Sequence, residues 1–309
     1  MANAKTLVAR EEKRRKFDSG HSLCSGCGLP IAVRNILNSI DSDVVASNAT
    51  GCLEVATSRY PMTAWNIPWI HNAFENAAAT ISGVEAAYRA LKSKGKLEGE
   101  IEFVAFAGDG GTYDIGLQSL SGALERGHDF LYVCLNNEAY MNTGIQRSSA
   151  TPKGASATTT PAGKESYGEK QWRKNLTEIV AAHEVPYVAQ ASISNLTDLS
   201  NKVEKAVSYQ GPTFLNVLAT CQLGWRINPR DAVDTARIGV DTCYWPLYEV
   251  EEGEYTVNYE PKEKKPVEEW LKPQKRFSHL FKTEYEEVVE QIQGLVDRDW
   301  ERLHKKADL

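Results

Sequence analysis

No stretch of this 309-residue chain approaches the ~18–20 consecutive apolar residues of a membrane-spanning helix, so a membrane protein of that kind is excluded. Positive charge is not in excess. The 35 Lys and Arg stand against 41 Asp and Glu, a formal charge of −6, which leaves no electrostatic case for nucleic acid or an acidic membrane as partner. Residues 1–17 lack the apolar core of a secretory signal. Cysteine is scarce and uneven: six in all, three of them among the first 52 residues. That is not the disulfide framework of a small secreted domain. A reducing cytoplasm, with thiols free to act as ligands, is the expected setting.

What is present alternates between β-rich apolar runs and segments of helical period. Residues 44–48, 101–107, 130–135 and 213–218 read as strands, with a weaker one at 185–191. Helical spacing covers 72–91, 114–126 (ended by Gly127), 172–183 and 196–209. Such alternation predicts an α/β fold, a mostly parallel sheet with helices on both faces. Composition changes after Pro246, which suggests a main domain over 1–249 and an appendage over 250–309. Residues 250–274, charged and poor in aliphatics, read as an extended arm. Thr283 and Glu286 have capping-box spacing ahead of a helix with Tyr285, Val288, Ile292, Leu295 and Leu303 on one face. An arm and helix of this kind either wraps a partner subunit or folds back on its own domain.

Gly108-Asp109-Gly110, with Gly111 following, closes one predicted strand, and Asn136-Asn137 closes the next. Glycines let a backbone approach a ligand closely, and a helix that follows them aims N–H groups at an anion. Mg²⁺ takes octahedral oxygen ligands, one or two from protein and the rest from phosphate and water. Asp109, the Asn137 amide and the Ala139 carbonyl could supply them. Gly-Asp-Gly alone fits an ordinary strand–helix turn. With Asn-Asn closing the following strand, it resembles the thiamine-diphosphate motif.

Cys24 and Cys27 form a C-x-x-C pair, Cys52 follows Thr50-Gly51, and Cys221 follows the 213–218 run. Four thiolates suit either structural zinc or an iron–sulfur cluster, and spacing does not choose between them. Position adds something. Cys52, Asp109, Asn137 and Cys221 each come after a predicted strand, and ligands of open parallel sheets gather at the carboxyl ends of strands. The thiol site and the diphosphate site are therefore expected side by side, where an electron acceptor has a use and a redox-silent ion has none. Cys134 reads as core, and Cys243 as a structural residue that is the only rival to Cys221.

At this point the chain resembles the β subunits of the thiamine-dependent 2-oxoacid:ferredoxin oxidoreductases, the pyruvate-type members above all. The matching segments are GHSLCSGCG (20–28), ATGCLEVATSRYPMTAW (49–65), PWIHNAFENAAATISGVEAA (68–87), GDGGTYDIGLQSLSGALERG (108–127), NNEAYMNTGIQRSSATPKGA (136–155) and YWPLYE (244–249). The resemblance implies a pyrophosphate-type thiamine-binding domain carrying one [4Fe–4S] cluster on Cys24, Cys27, Cys52 and Cys221. It implies Mg²⁺ on Asp109, Asn137 and the Ala139 carbonyl, and a diphosphate cradled by Gly108 and Gly110. Gly51, Cys52, Gly111 and Thr143 join the cofactor-binding set, and Asn142 faces the substrate carbon as the catalytic candidate. By local chemistry alone, Asn142 also reads as a turn residue ahead of Thr143-Gly144.

The same resemblance implies oxidative decarboxylation of a 2-oxoacid, with single electrons passing to the cluster and the acyl group to coenzyme A. The general base is expected on an α-type partner, so Glu54, Glu75, Glu85 and His71 are read as structural. No C-x-x-C-x-x-C-x-x-x-C run occurs, so onward clusters are expected on a ferredoxin-like subunit or domain that serves an external ferredoxin. One departure bears on substrate. Gln222-Leu223 stands between Cys221 and Gly224 where pyruvate-type members commonly have Pro-Thr, so oxalate or another small 2-oxoacid stays open beside pyruvate.

Overall fold

A computed structural model describes residues 4–13 and 15–308. Eight strands form one sheet in the order β2-β1-β3-β4-β6-β5-β7-β8. They are β1 (Asp43–Ala49), β2 (Trp69–Asn72), β3 (Ile101–Gly108), β4 (Phe130–Asn136), β5 (Tyr187–Ser192), β6 (Pro212–Leu218), β7 (Tyr248–Glu251) and β8 (Glu254–Val257). The first six run parallel, and β7 and β8 extend the β5 edge as an antiparallel hairpin. The helices are α1 (Ala4–Lys13), α2 (Leu29–Asn38), α3 (Cys52–Thr57), α4 (Ala77–Ser93), α5 (Leu117–Glu125), α6 (Leu176–Ala181), α7 (Leu196–Ala206), α8 (Gln222–Trp225), α9 (Ala232–Asp241), α10 (Glu268–Leu271) and α11 (Glu286–Ala307). No described helix is long and apolar enough to cross a membrane.

Side chains alternate across a strand, so the central strands feed two cores. Val104, Phe106, Leu131, Val133 and Leu135 pack with α2, α7 and α9. Ala105, Ala107, Tyr132 and Cys134 pack on the other face with α4, α5 and α6. This is why 101–107 and 130–135 read as continuous apolar runs: both faces are covered.

Several boundaries differ from the sequence-based expectation. Residues 69–72, placed partly in a helix, form an edge strand, and α4 begins only at Ala77. Gly110–Ile115 winds as one π-helical turn before α5. The helix expected over 172–183 is the short α6, because Asn175 caps it by accepting from the Glu178 N–H. The 250–274 arm is only partly extended: Tyr248 and Val250 of β7 and Tyr255 and Val257 of β8 are apolar at period two, and Gly253, at φ +89°, supplies the left-handed turn between them. Residues 250–308 fold back onto their own sheet, with Trp270, Leu271, Phe277 and Leu280 fully buried in the first core. The Trp270 ring stacks on Tyr244 at 3.8 Å between centroids.

Candidate active site

All six parallel strands end at the same rim, and there the chain gathers its unusual residues. Gly51 precedes α3 and Cys52 opens it. Asp109 follows β3, Asn137 follows β4, and Cys221 follows β6 by three residues and caps α8, its sulfur accepting from the Gly224 N–H at 3.3 Å. The C-x-x-C turn joins them from the N-terminal side. Its Cys27 N–H donates to the Cys24 carbonyl at 3.0 Å, and the Gly28 N–H donates to the Thr220 carbonyl at 3.0 Å, beside Cys221. Glycine is required at both flanking positions. A Cβ on Gly28 would lie 2.7 Å from the Thr220 nitrogen, and one on Gly26, at φ +77°, would lie 2.5 Å from the Pro229 carbonyl oxygen.

These contacts bring Cys24, Cys27, Cys52 and Cys221 within electrostatic reach of one another. Burial pushes the Cys27 thiol up to about 12, and charge on Cys221, Cys52 or Cys24 acts in the same direction. Burial likewise lifts Cys52 to about 11, with Cys221, Cys24 and Asp109 adding to the effect and a hydrogen bond from Asn142 opposing it. Cys221 is raised for the same first reason. The thiols resist ionising together unless a positive centre sits among them. Among the described residues, no three His, Cys, Asp or Glu side chains converge on a point that one metal ion could occupy. Cys243 is apart from this group; its charged neighbours are Lys264, Asp241, Asp297 and Glu260. Cys134 is buried in β4.

A cleft beside the thiols is lined by Gly51, Cys52, Gly108 to Gly111, Asn137 and Ala139 to Thr143. Beyond the Cα of Gly51 and of Gly108 there is open space, with no atom within 4 Å of where a Cβ would lie. Gly110 is a different case: its missing Cβ leaves room for the Tyr140 ring, whose hydroxyl donates to the Gly110 carbonyl at 2.8 Å. Asp109 is buried, and burial pushes its carboxyl up to about 7, against hydrogen bonds from the Ser148 hydroxyl (2.5 Å) and the Asn137 N–H (3.2 Å).

The Asn137 amide oxygen faces two other acceptors, the Ala139 carbonyl oxygen at 2.9 Å and Asp109 Oδ1 at 3.1 Å. Turning the amide over would satisfy both with N–H groups. With the oxygen inward, the same three groups offer the donor set that a bound cation would need. Octahedral Mg²⁺ with oxygens at ~2.0–2.1 Å places neighbouring ligands ~2.9 Å apart. The three donors expected from the sequence therefore meet with the spacing that a small hard cation needs.

Sequence reasoning missed the layer that holds this turn. Glu138, between the two metal-donor positions, has φ +68° and is completely buried. Its carboxylate accepts from the Tyr244 hydroxyl at 2.7 Å and from Arg276 Nη2. The Arg276 guanidinium lies 4.3 Å over the Trp225 ring, and Trp225 Nε1 donates to the Asn137 carbonyl at 2.8 Å. A tail residue thus fastens the Asn137–Ala139 turn from beneath, and its charge also favours the Cys221 thiolate. The one available signal was the YWPLYE segment, which contains Tyr244. Glu85 bonds His128 and Arg89, and Glu54 bonds His71. None of Glu54, Glu75, Glu85 and His71 lines the cleft.

Comparison with known proteins agrees with this geometry. Residues 49–217 match the family described as thiamine pyrophosphate enzyme, C-terminal TPP binding domain. The chain is 53% identical to the pyruvate synthase subunit PorB of Thermotoga maritima, over 97% of this chain and 95% of that one. It is 55% identical to the PorB of Methanothermobacter marburgensis, covering 90% and 93%. It is also 45% identical to the ketoisovalerate oxidoreductase subunit VorB of Pyrococcus abyssi, covering 98% and 99%. Among solved structures, a 2-oxoglutarate:ferredoxin oxidoreductase from Magnetococcus marinus shares the fold, with a TM-score of 0.56 and 20% identity over 72% of this chain and 79% of that one. With the thiamine-type cleft and the relatives taken together, the chain belongs to the β subunits of the thiamine-diphosphate-dependent 2-oxoacid:ferredoxin oxidoreductases, enzymes that work only as assemblies with partner subunits.

Proposed function

We propose that this subunit serves the coenzyme A-dependent oxidative decarboxylation of pyruvate, with electrons leaving singly through a [4Fe–4S] cluster on Cys24, Cys27, Cys52 and Cys221. The observation that carries the proposal is the sharing of Cys52 between thiol group and cleft, where Asn142 also lines the wall. Bound thiamine diphosphate supplies the nucleophilic carbon and the electron sink that loss of CO₂ from a 2-oxoacid demands. In this reading Asp109, Asn137 and the Ala139 carbonyl hold Mg²⁺. Gly51 and Gly108 leave open space through which the diphosphate can approach the backbone, Gly110, Gly111 and Thr143 line the same cleft, and Asn142 orients the reacting carbon. The place of Cys52 in the cleft lining puts the thiol group where an electron acceptor has a use, which favours an iron–sulfur cluster over a redox-silent zinc.

Asp109 is the carboxylate in the cleft lining, so an α-type subunit is proposed to bring the general base and the rest of the thiamine site. A ferredoxin-like subunit or domain, and then an external ferredoxin, would take the electrons in the cytoplasm. The module at 250–309 would meet a partner with the outer face of α11. Identity to both pyruvate- and ketoisovalerate-named relatives puts substrate choice largely outside this chain; the higher identity favours pyruvate.

Anaerobic turnover of the intact complex with pyruvate, oxalate and 3-methyl-2-oxobutanoate, using a viologen acceptor with and without coenzyme A, tests the proposal. Coenzyme A-dependent reduction strongest with pyruvate is expected. Stronger reduction with another acid overturns the substrate, and a colourless zinc protein overturns the electron path.

A further inference from the structure

A cavity of 420 Å³ lies between residues 172–175, the 243–248 turn and α11, and shares no lining residue with the thiamine cleft. Its walls carry five cations, Arg173, Lys174, Arg298, Arg302 and Lys306, against two carboxylates, Glu178 and Asp299. Three of the cations stand at positions 298, 302 and 306, four apart along one face of α11. Both carboxylates are engaged. Asp299 accepts from Arg298 and from Trp172 Nε1, and Glu178 from Lys306 and the Tyr255 hydroxyl. Arg302 has no hydrogen-bond or ion-pair partner among the described residues. Arg173 is held in place by stacking 4.1 Å over Tyr244 and by donating to the Tyr244 carbonyl; its buried Nη1 lies 3.9 Å from Glu138 Oε1, an ion pair too long for a hydrogen bond, and has no acceptor within hydrogen-bond distance.

A buried guanidinium with an unmet donor favours an incoming anion, and the planar fork of arginine suits phosphate. The volume is that of a small-ligand site, and Trp172 and Trp245 add flat apolar wall. We propose that this cavity binds an organic phosphate of mononucleotide size, with the phosphate between Arg173 and Arg302 and the ring against the tryptophans. The site is separate from the diphosphate cleft and stands whether or not the redox reading above is correct.

The test is calorimetric titration of the whole complex, saturated with thiamine diphosphate and Mg²⁺ so that the cleft is filled, using AMP, adenosine and inorganic phosphate. Saturable AMP binding is expected, weakening as salt rises, with adenosine at least tenfold weaker. Arg302→Ala, at an exposed residue outside the catalytic cleft, should weaken AMP roughly tenfold, as expected for losing one charge-assisted contact. The same AMP affinity in Arg302→Ala, or equal affinity for adenosine, overturns the proposal. Phosphate binding as tight as AMP overturns the organic part and leaves a site for the free anion. AMP binding to the isolated chain but not to the complex replaces the small molecule with an acidic segment of a partner.

Discussion

Asp109 shows what the rim demands of single residues. Its buried carboxyl is held by the Ser148 hydroxyl and the Asn137 N–H, and it lies beside the Asn137 amide, the second of the proposed Mg²⁺ donors. Groups that only orient a metal ligand typically matter 10–100-fold in metal affinity. Ser148→Ala should therefore weaken Mg²⁺-dependent thiamine diphosphate binding by roughly 10–100-fold. Asp109→Ala, which removes the proposed ligand itself, should weaken it by more than about 100-fold, both read by calorimetry. The cysteines allow a discriminating pair. Cys221→Ser is expected to lose iron and the reduced-state EPR signal of the anaerobically purified complex, whereas Cys243→Ser, among different neighbours, should keep both. The gathering of Asp109, Asn137, Cys52 and Cys221 at one rim was legible because each follows a strand in the sequence, while what they hold remains the proposal above. Glu138 and Arg276 were not. A buried ion pair spanning 138 residues leaves no local pattern, and each partner alone reads as an ordinary surface charge.

At the scale of elements, the C-x-x-C turn depends on close approach. Gly26→Ala would force an L side chain into a left-handed backbone and against the Pro229 carbonyl, a strain of order 1–3 kcal/mol before any clash. The turn should move away from Cys221, giving substoichiometric iron at unchanged thiamine diphosphate affinity. The β7–β8 hairpin carries a different load. Lys205 bridges Glu249 at 2.7 Å and Glu251 at 2.9 Å. Burial works against the Glu249 charge, but hydrogen bonds from Lys205 and Tyr187 prevail and hold its carboxyl below the usual range. Hydrogen bonds from Tyr209 and Lys205 do the same for Glu251. Carboxyls depressed on folding add stability that is fully present above their unfolded value near 4.5 and is lost as pH falls through the lower folded values. Urea midpoints followed downward from pH 6 should therefore drop less steeply in Lys205→Met than in the parent. This hairpin was overlooked because its glutamates suggested a solvated arm. The alternation of Tyr248, Val250, Tyr255 and Val257 about Gly253 was the signal that outweighed them.

Across the whole molecule, the tail and the cofactor rim are mechanically one body. The Arg276 guanidinium reaches Glu138 beneath the Asn137–Ala139 turn and stacks on Trp225, while Trp270 and Phe277 fix its backbone within the first core. Removing one partner of a buried ion pair typically costs about 3–5 kcal/mol, much of it from the charge left behind. Arg276→Met should lower stability by about that amount and weaken thiamine diphosphate binding. Adding Glu138→Gln should restore much of the stability, which unfolding curves of the single and double variants would measure. The parallel sheet and its ligand rim could be foreseen from apolar runs and the residues that close them. The closing of the rim by the distant end of the chain could not, since it rests on packing between segments that share no sequence period.

That closure links assembly to chain length. Every proposed ligand to magnesium and iron has been synthesised by residue 221, yet Arg276, which bonds Glu138 directly, arrives only later, leaving until then the looser ion pair with Arg173 at 3.9 Å. A polypeptide cut short in between, by truncation or by proteolysis, would own a full set of proposed ligands around a buried anion that keeps only its more distant cation. Such fragments are expected to load thiamine diphosphate more weakly than the full chain.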